Sequence, residues 1–215
     1  MEPLPRFFPL DRLIAFSDGV FAVVITLLVL GIDVPTNAVL DAAGIAAERE
    51  KLAHQLLIYG VCFSVIALYW TQHSLLYARL KRMERGLAVL NLLFLLPVTL
   101  LPFVTQLMGT MRNDWRSVLV FAIANSFAVL MVQWQWAHVA ARPETHKDPH
   151  TPMLARRIKW GSRFFGAVLI GGVVVSMIDV KAGTAIILIM PFVYFFNFSR
   201  DLLGSRSHPP TDAGT

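Results

Sequence analysis

Runs of apolar residues, several of them close to the length of a membrane-spanning helix, constrain the fold of this chain more than any other feature. A helix needs about 20 apolar residues to cross the hydrocarbon core of a bilayer, and a helix satisfies its own backbone polar groups there. Charged residues make up 15% of the chain, whereas soluble domains use about a quarter. The sequence therefore predicts an all-α membrane protein rather than one or two soluble domains.

The apolar runs predict six transmembrane helices and one domain. The expected spans are Leu13 to Ile32, Gln55 to Tyr77, Leu87 to Met108, Val118 to Ala140, Phe164 to Ile178 and Ala182 to Phe198. The short connection between the last two predicts an antiparallel helical hairpin. The predicted six-helix transmembrane domain covers residues 1–204, and residues 205–215 have the composition of a disordered cytoplasmic tail.

Three further local predictions concern the connections and the packing of the spans. Residues 36–53 should form a short extracellular amphipathic helix or a loop, and residues 142–152 a mobile cytoplasmic loop. Pro97, Pro102 and Pro191 are expected to kink their spans, which membrane helices tolerate when neighbours satisfy the freed carbonyls. The small residues Gly166, Gly171 and Gly172 are expected to allow close helix packing.

Lys and Arg are concentrated in two of the connections between spans. These are the segments after the second span and after the fourth, whereas acidic residues are frequent after the first. Cytoplasmic loops of membrane proteins carry an excess of Lys and Arg. We therefore predict that these two connections, and with six spans both termini, face the cytoplasm of a multi-pass protein of the cell membrane. The net charge of +5 then reflects topology and not nucleic-acid binding.

Asp18 lies inside the first span and is the most informative single residue. An ionisable side chain in an apolar helix is costly and marks an ion or proton site, or else a polar clamp between helices, which we favour. At about 100° per residue, one face of this helix carries Arg12, Gly19, Val23, Thr26 and Leu30, with Leu27 at its border. Another face carries Asp18, Ala22, Ile25 and Val29. If the first face lines a pore, Asp18 points away from it.

Candidate partners for Asp18 and Ser17 lie at a similar depth in the next two spans. They are Trp70 and His73 in the second span and Asn91 at the start of the third. Together they could satisfy the carboxylate of Asp18 and the hydroxyl of Ser17. For His73, a hydrogen-bonded core histidine is favoured over a catalytic one.

No catalytic, cofactor or metal constellation stands out. His146 and His150 have the spacing of a metal pair on a helix, but Pro149 lies between them and no third ligand is apparent. Neither a phosphate-binding glycine loop nor a serine-nucleophile elbow occurs, and the Thr-Val-Gly-Tyr-Gly filter of the common potassium channels is absent from the sequence. We predict a protein that is not an enzyme and holds no resident cofactor or metal, so any cation selectivity must come from another device.

The first helix carries the sequence signature Arg-x-x-x-Phe-Ser-Asp-x-x-x-Ala/Thr. Every fixed position is matched, by Arg12, Phe16, Ser17, Asp18 and Ala22. This segment resembles the first helix of the transmembrane protein 175 family, which includes the endolysosomal potassium channel of animals and smaller bacterial relatives. The resemblance extends more loosely to Trp70, His73, Asn91 and Pro102-Phe103.

The resemblance implies a homotetramer of six-helix subunits whose first helices line a central pore. In that arrangement Val23, Leu27 and Leu30 form the apolar constriction, and the hydroxyl of Thr26 contributes to selectivity. Val23 is smaller than the Ile or Leu expected at its position, so the narrowest point lies at Val23 or at Leu27. The polar residues of the signature then contact neighbouring helices.

These inferences predict a leak-type channel that conducts potassium in preference to sodium through an apolar constriction able to close by dewetting. Its partners are the lipid bilayer, three further copies of the chain and the permeant potassium ion. The alternative is a secondary transporter coupled to protons through Asp18 or His73, for which the prolines inside the spans are the only hint. A membrane enzyme is the least favoured class.

Overall fold

A computed structural model describes residues 9–33, 42–189 and 191 of the chain. All of its regular elements in this part of the chain are helical. The helices are α1 (Leu10–Leu27), which continues as a 3-10 turn over Leu28–Gly31, α2 (Ala42–Tyr77), α3 (Arg85–Thr110), α4 (Trp115–Ala140), α5 (Thr151–Ser176) and α6 (Val180–Ile189). The first five are long and apolar enough to span a membrane, which confirms the prediction of an all-α membrane protein.

Helices α1 and α5 lie apart in the bundle, with other helices between them. Helix α3 lies at the centre of the described bundle and packs on α1, α2 and α4, whereas α5 packs on α4. Large apolar side chains fill the interior between them, among them Phe94 of α3 and Phe121 of α4. Helix α1 therefore lies at one edge of the subunit and α5 at another.

Two helices begin earlier than the apolar runs indicate. Residues 42–53 continue directly into α2 instead of forming a separate short helix or a loop. Helix α5 begins at Thr151, with Pro152 in its first turn, where the fixed φ of proline suits a helix start. Hydropathy shows where a helix leaves the membrane but not where the helix begins. The polar residues before the two apolar runs do not end the helix, so it continues through them. Of the predicted sixth span, the structure describes helix over Val180–Ile189, and the remainder and the predicted tail lie outside the described residues.

Helix α3 runs without interruption through Pro97 and Pro102. Between α5 and α6, Gly172 and Gly183 meet at close range: a Cβ on Gly172 would lie 3.3 Å from the carbonyl oxygen of Gly183. Gly166 and Gly171 have open space around them in the described chain. The prediction of close packing is therefore confirmed for Gly172, whereas none of the described residues packs against Gly166 or Gly171.

The connection after α4 is tied to the connection after α2. The amide of Lys81 donates to Thr145 O at 2.8 Å, and the amide of Lys147 donates to Arg79 O at 2.8 Å. Thr145 is buried beneath this short antiparallel bridge. The guanidinium of Arg79 also pairs with Asp148 at 3.1 Å. The segment 142–152 is thus a docked loop, and the prediction of a mobile one is wrong, because its backbone polar groups have partners across the gap.

Candidate functional site

Helix α1 buries one narrow stripe and leaves the rest of its surface uncovered. The buried residues recur every three or four positions, as expected for one helix face, and they are Leu13, Ser17, Phe21, Val24 and Leu28. This stripe packs on α2 and α3. The single polar member, Ser17, therefore needs hydrogen-bond partners inside the bundle.

Ser17 finds these partners in a buried polar chain that crosses three helices. Its hydroxyl donates to Leu13 O at 2.9 Å and accepts from Asn91 Nδ2 at 2.9 Å. The amide oxygen of Asn91 lies 3.1 Å from His73 Nε2. Since an amide oxygen can only accept, His73 carries its proton on Nε2 in this arrangement. The ring of His73 stacks on Tyr77, with centroids 4.1 Å apart.

Asp18 has a different partner from Ser17. The indole Nε1 of Trp70 donates to Asp18 Oδ1 at 2.9 Å, and both side chains are exposed in the single subunit. The structure thus divides the predicted partner set: Trp70 serves Asp18, whereas Asn91 and His73 serve Ser17. Among the described residues, no hydrogen bond joins Asp18 to His73.

The remaining residues of the signature lie outside this polar chain. Arg12, Phe16 and Ala22 are exposed on α1, and among the described residues no hydrogen bond or ion pair is formed by Arg12. Their predicted role as part of the helix clamp stays a prediction.

The predicted pore residues lie on the uncovered surface of α1. Val23 is 56% exposed, Leu27 43% and Leu30 75%, although each is apolar and lies on a helix that buries other apolar residues. Thr26 is exposed beside them, and its hydroxyl donates to Val23 O at 2.8 Å. Because the only proton of the hydroxyl is used within the helix, the lone pairs of Thr26 Oγ1 remain available to a cation.

The end of α1 changes its helical geometry between Leu27 and Leu30. The α-helix ends at Leu27, and Leu28–Gly31 form a 3-10 turn. Residues three apart eclipse one another in a 3-10 turn, whereas in an α-helix they differ by about 60° in direction. The turn therefore brings Leu30 closer to the direction of Leu27 than the helical wheel indicates.

An anchor at the far end of α1 was missed by the sequence analysis. Asp33 accepts from Lys51 Nζ at 3.1 Å and from Gln55 Nε2 at 3.1 Å, both on α2. The hydrogen bond from Lys51, then that from Gln55 and the charge of Lys51, lower the pKa of Asp33 below its ordinary value. The sequence does contain a signal for this anchor. An acidic residue ends the first span, and a basic residue lies near the start of the next helix.

Two buried polar pairs between α2 and α4 were also missed. Tyr69 donates its hydroxyl to Asn125 Oδ1 at 2.9 Å, and Tyr77 donates to Gln135 Oε1 at 3.1 Å. All four lie on the buried faces of their helices. The two tyrosines are eight positions apart on α2, and their partners are ten positions apart on α4, so both pairs lie along the contact between the two helices. This pattern can be recognised only once the two helices are known to be neighbours.

The part of the chain that contains the signature residues matches a known family of membrane proteins. Residues 12–102 match the model of the family described as "Endosomal/lysosomal potassium channel TMEM175". This range contains the whole signature, Trp70, His73 and Asn91. Over residues 12–102, the chain is similar to the TMEM175 family.

Curated relatives of this chain carry channel names. A protein of Chamaesiphon minutus named a potassium channel is 31% identical over 60% of this chain and 65% of its own length. A protein of Streptomyces collinus with the same type of name is 36% identical over 60% of this chain and 63% of its own. A Danio rerio relative, 25% identical over 59% of this chain and 25% of its own, is named an endosomal/lysosomal proton channel TMEM175. The matches thus span less than two thirds of these relatives.

A solved structure supports the TMEM175 fold. The crystal structure of a lysosomal potassium-selective channel TMEM175 homolog from Chamaesiphon minutus superposes with a TM-score of 0.75 at 24% identity, covering 87% of this chain and 97% of that one. At this identity the likeness concerns the fold.

Proposed function

We propose that four copies of this chain form a leak-type cation channel of the cell membrane, with α1 of each subunit lining a central pore. The observation that carries the proposal is the uncovered face of α1. Val23, Leu27 and Leu30 leave apolar surface without a partner inside the subunit, while the polar residues Ser17 and Asp18 are held on other faces. Four copies arranged around a closed symmetry axis would cover this face, and closed cyclic symmetry is the usual form of a homo-oligomer.

Potassium over sodium is the proposed selectivity. Four Thr26 hydroxyls, each with its proton donated to Val23 O, would present a ring of oxygen lone pairs to the pore. Such a ring replaces part of the hydration shell of a cation, and potassium loses its water at a lower cost than sodium. The curated bacterial relatives are named potassium channels, which supports the same ion.

Proton conduction is the second candidate, since the animal relative carries a proton channel name. A proton-coupled transporter that uses Asp18 and His73 as one relay draws less support, because Asp18 bonds to Trp70 and His73 bonds to Asn91.

Reversal potentials of the purified protein in planar bilayers separate the candidates. With potassium chloride on one side and an equal concentration of sodium chloride on the other at equal pH, a potassium-selective channel reverses at a potential that is negative on the potassium side and that reports the ratio of potassium to sodium permeability. With the same potassium chloride solution on both sides and a pH gradient between them, a reversal potential that follows the pH gradient would establish proton conduction. A potential that obeys a fixed ratio of ions to protons would establish coupled transport and refute the channel.

A further inference from the structure

The outer face of α5 carries a stripe of basic and aromatic side chains. We name as the basic stripe the residues Arg156, Lys159, Trp160 and Arg163, all of them exposed. At about 100° per residue they fall within one sector of about 100° on the helix. The opposite sector carries Ile158, Ser162, Phe165 and Leu169, which are buried. The basic stripe therefore points away from the bundle.

Among the residues that the structure describes, the positive charge of the basic stripe has no acidic counterpart nearby. Helix α5 contains no Asp or Glu over Thr151–Ser176. Within the described part of the chain, none of the cations of Arg156, Lys159 and Arg163 lies within ion-pair distance of a carboxylate. The guanidinium of Arg163 instead lies 5.3 Å from the ring centre of Trp160, a cation–π contact that fixes its direction.

An apolar strip continues the basic stripe along the same face. It consists of Ala167, Ile170, Gly171 and Val174, all exposed, and it ends near Ile178, which is 89% exposed. Gly171 has open space where a side chain would stand. The face thus has three positive charges at one end and a shallow apolar surface at the other, which is the polarity of a phospholipid with an anionic headgroup.

The depth of the basic stripe agrees with this polarity. About 20 helical residues cross the hydrocarbon core, and a span of that length counted back from Ile178 begins at Lys159. Trp160 and Arg163 therefore lie at the boundary with the headgroups, where aromatic and long basic side chains are favoured. The proposed pore places α1 at the centre of the assembly, and α5 packs on α4 without contacting α1, so the basic stripe faces lipid.

We propose that the basic stripe is a binding site for an anionic phospholipid. Its phosphate would be held by Arg156, Lys159 and Arg163 through charge-assisted hydrogen bonds, with the acyl chains along Ile170 and Val174. The proposal relies on the proposed function only for the position of α5 at the lipid-facing periphery.

Thermal unfolding of the purified, delipidated protein tests this site without any measurement of conduction. Dioleoylphosphatidylglycerol should raise the unfolding midpoint by about 4 °C or more over dioleoylphosphatidylcholine, because a ligand of the folded state stabilises it. The triple variant Arg156→Gln/Lys159→Gln/Arg163→Gln should lose this difference. Trp160→Ala, which leaves the charge unchanged, should reduce it. Inorganic phosphate lacks the acyl chains and should give no shift.

The matched control is Arg49→Gln/Arg116→Gln/Lys181→Gln, which removes the same charge from exposed positions at the other ends of the helices. It should keep the full difference between the two lipids. An equal loss in this control, an undiminished shift in the triple variant, or no shift in the unaltered protein would each overturn the proposal. A failure of potassium conduction in bilayers, by contrast, would leave these melting curves unchanged.

Discussion

Asn91 occupies the centre of the buried polar chain, between Ser17 and His73. Its amide both donates and accepts there, so a leucine of similar size would strand the Nε2–H of His73 and the acceptor side of the Ser17 hydroxyl, which keeps only its bond to Leu13 O. Each stranded group costs about 1–3 kcal/mol. We expect Asn91→Leu to lower the unfolding midpoint of the detergent-solubilised protein markedly. Thr99→Val, which removes an exposed hydroxyl of the same helix, is the control, and equal midpoints for the two variants would contradict the structural role of Asn91.

Thr26 presents the only hydroxyl among the proposed pore residues. Thr26→Val keeps the shape of the side chain and removes the oxygen. We expect a lower permeability ratio of potassium to sodium in bi-ionic recordings, because the ring of dipoles is lost. An unchanged ratio would exclude Thr26 from the selectivity mechanism.

The residue-level predictions from the sequence succeeded in placing polar groups at a common depth and failed in pairing them. Ser17, Asp18, Trp70, His73 and Asn91 are close together, as their positions along the spans indicated. Their pairing depends on side-chain direction, which differs by 100° between Ser17 and Asp18. Depth can be counted along a sequence, whereas the rotation of one helix against another is set by packing.

Helix α1 and its 3-10 turn decide the shape of the proposed constriction. Water leaves a narrow apolar ring, since its walls offer no hydrogen bonds, and a hydrated ion then meets a barrier. If Leu27 forms such a ring, Leu27→Ala should raise potassium flux into liposomes, normalised to the amount of assembled protein, and Leu27→Ser should raise it further by wetting the ring.

Val29→Ser is the control for the constriction, since Val29 is exposed on a different face of the same segment. It should leave the normalised flux unchanged. Unchanged or reduced flux in both Leu27 variants would refute the constriction and assign Leu27 to packing between subunits.

The anchor between α1 and α2 should depend on pH in a defined direction. The pKa of Asp33 is lowered by Lys51 and Gln55, so the anchor stabilises the folded state above the ordinary Asp pKa of about 3.9 and loses its effect as the pH falls through the lower, folded pKa. Asp33→Asn should therefore lower the unfolding midpoint at pH 7, and the difference should disappear at a pH well below the ordinary Asp pKa. A difference that is constant down to that pH would contradict the ion pair.

Helix existence was predictable from the sequence, whereas two helix starts were not. Hydropathy marks where the membrane-crossing part of α5 ends. The first turns of α5, at Thr151–Ile158, are amphipathic, and they extend the helix beyond its apolar part. The amphipathic pattern of Ile158, Ser162 and Phe165 was available in the sequence. It was obscured because the basic residues between them were interpreted only as topology signals.

At the scale of the whole molecule, the orientation of the bundle is the first property to measure. The distribution of Lys and Arg predicts that Lys147 lies in the cytoplasm and that Lys181, in the turn between α5 and α6, lies outside. In a Cys62→Ala background, Lys147→Cys and Lys181→Cys should react with a membrane-impermeant thiol reagent from opposite sides of the membrane. Both positions are exposed, so equal labelling from one side would reverse or disprove the assigned topology.

The docked loop makes one end of the subunit stiffer than the other. At the end that holds the bridge between Arg79 and Lys147, the chain is joined by backbone hydrogen bonds. At the opposite end, α1 is joined to α2 by the packing of Leu28 and by the exposed side-chain pair of Asp33 and Lys51, and such exposed pairs are weak. We therefore expect a bending force on the subunit to displace the end of α1 that bears Leu30 more than the loops joined by backbone hydrogen bonds.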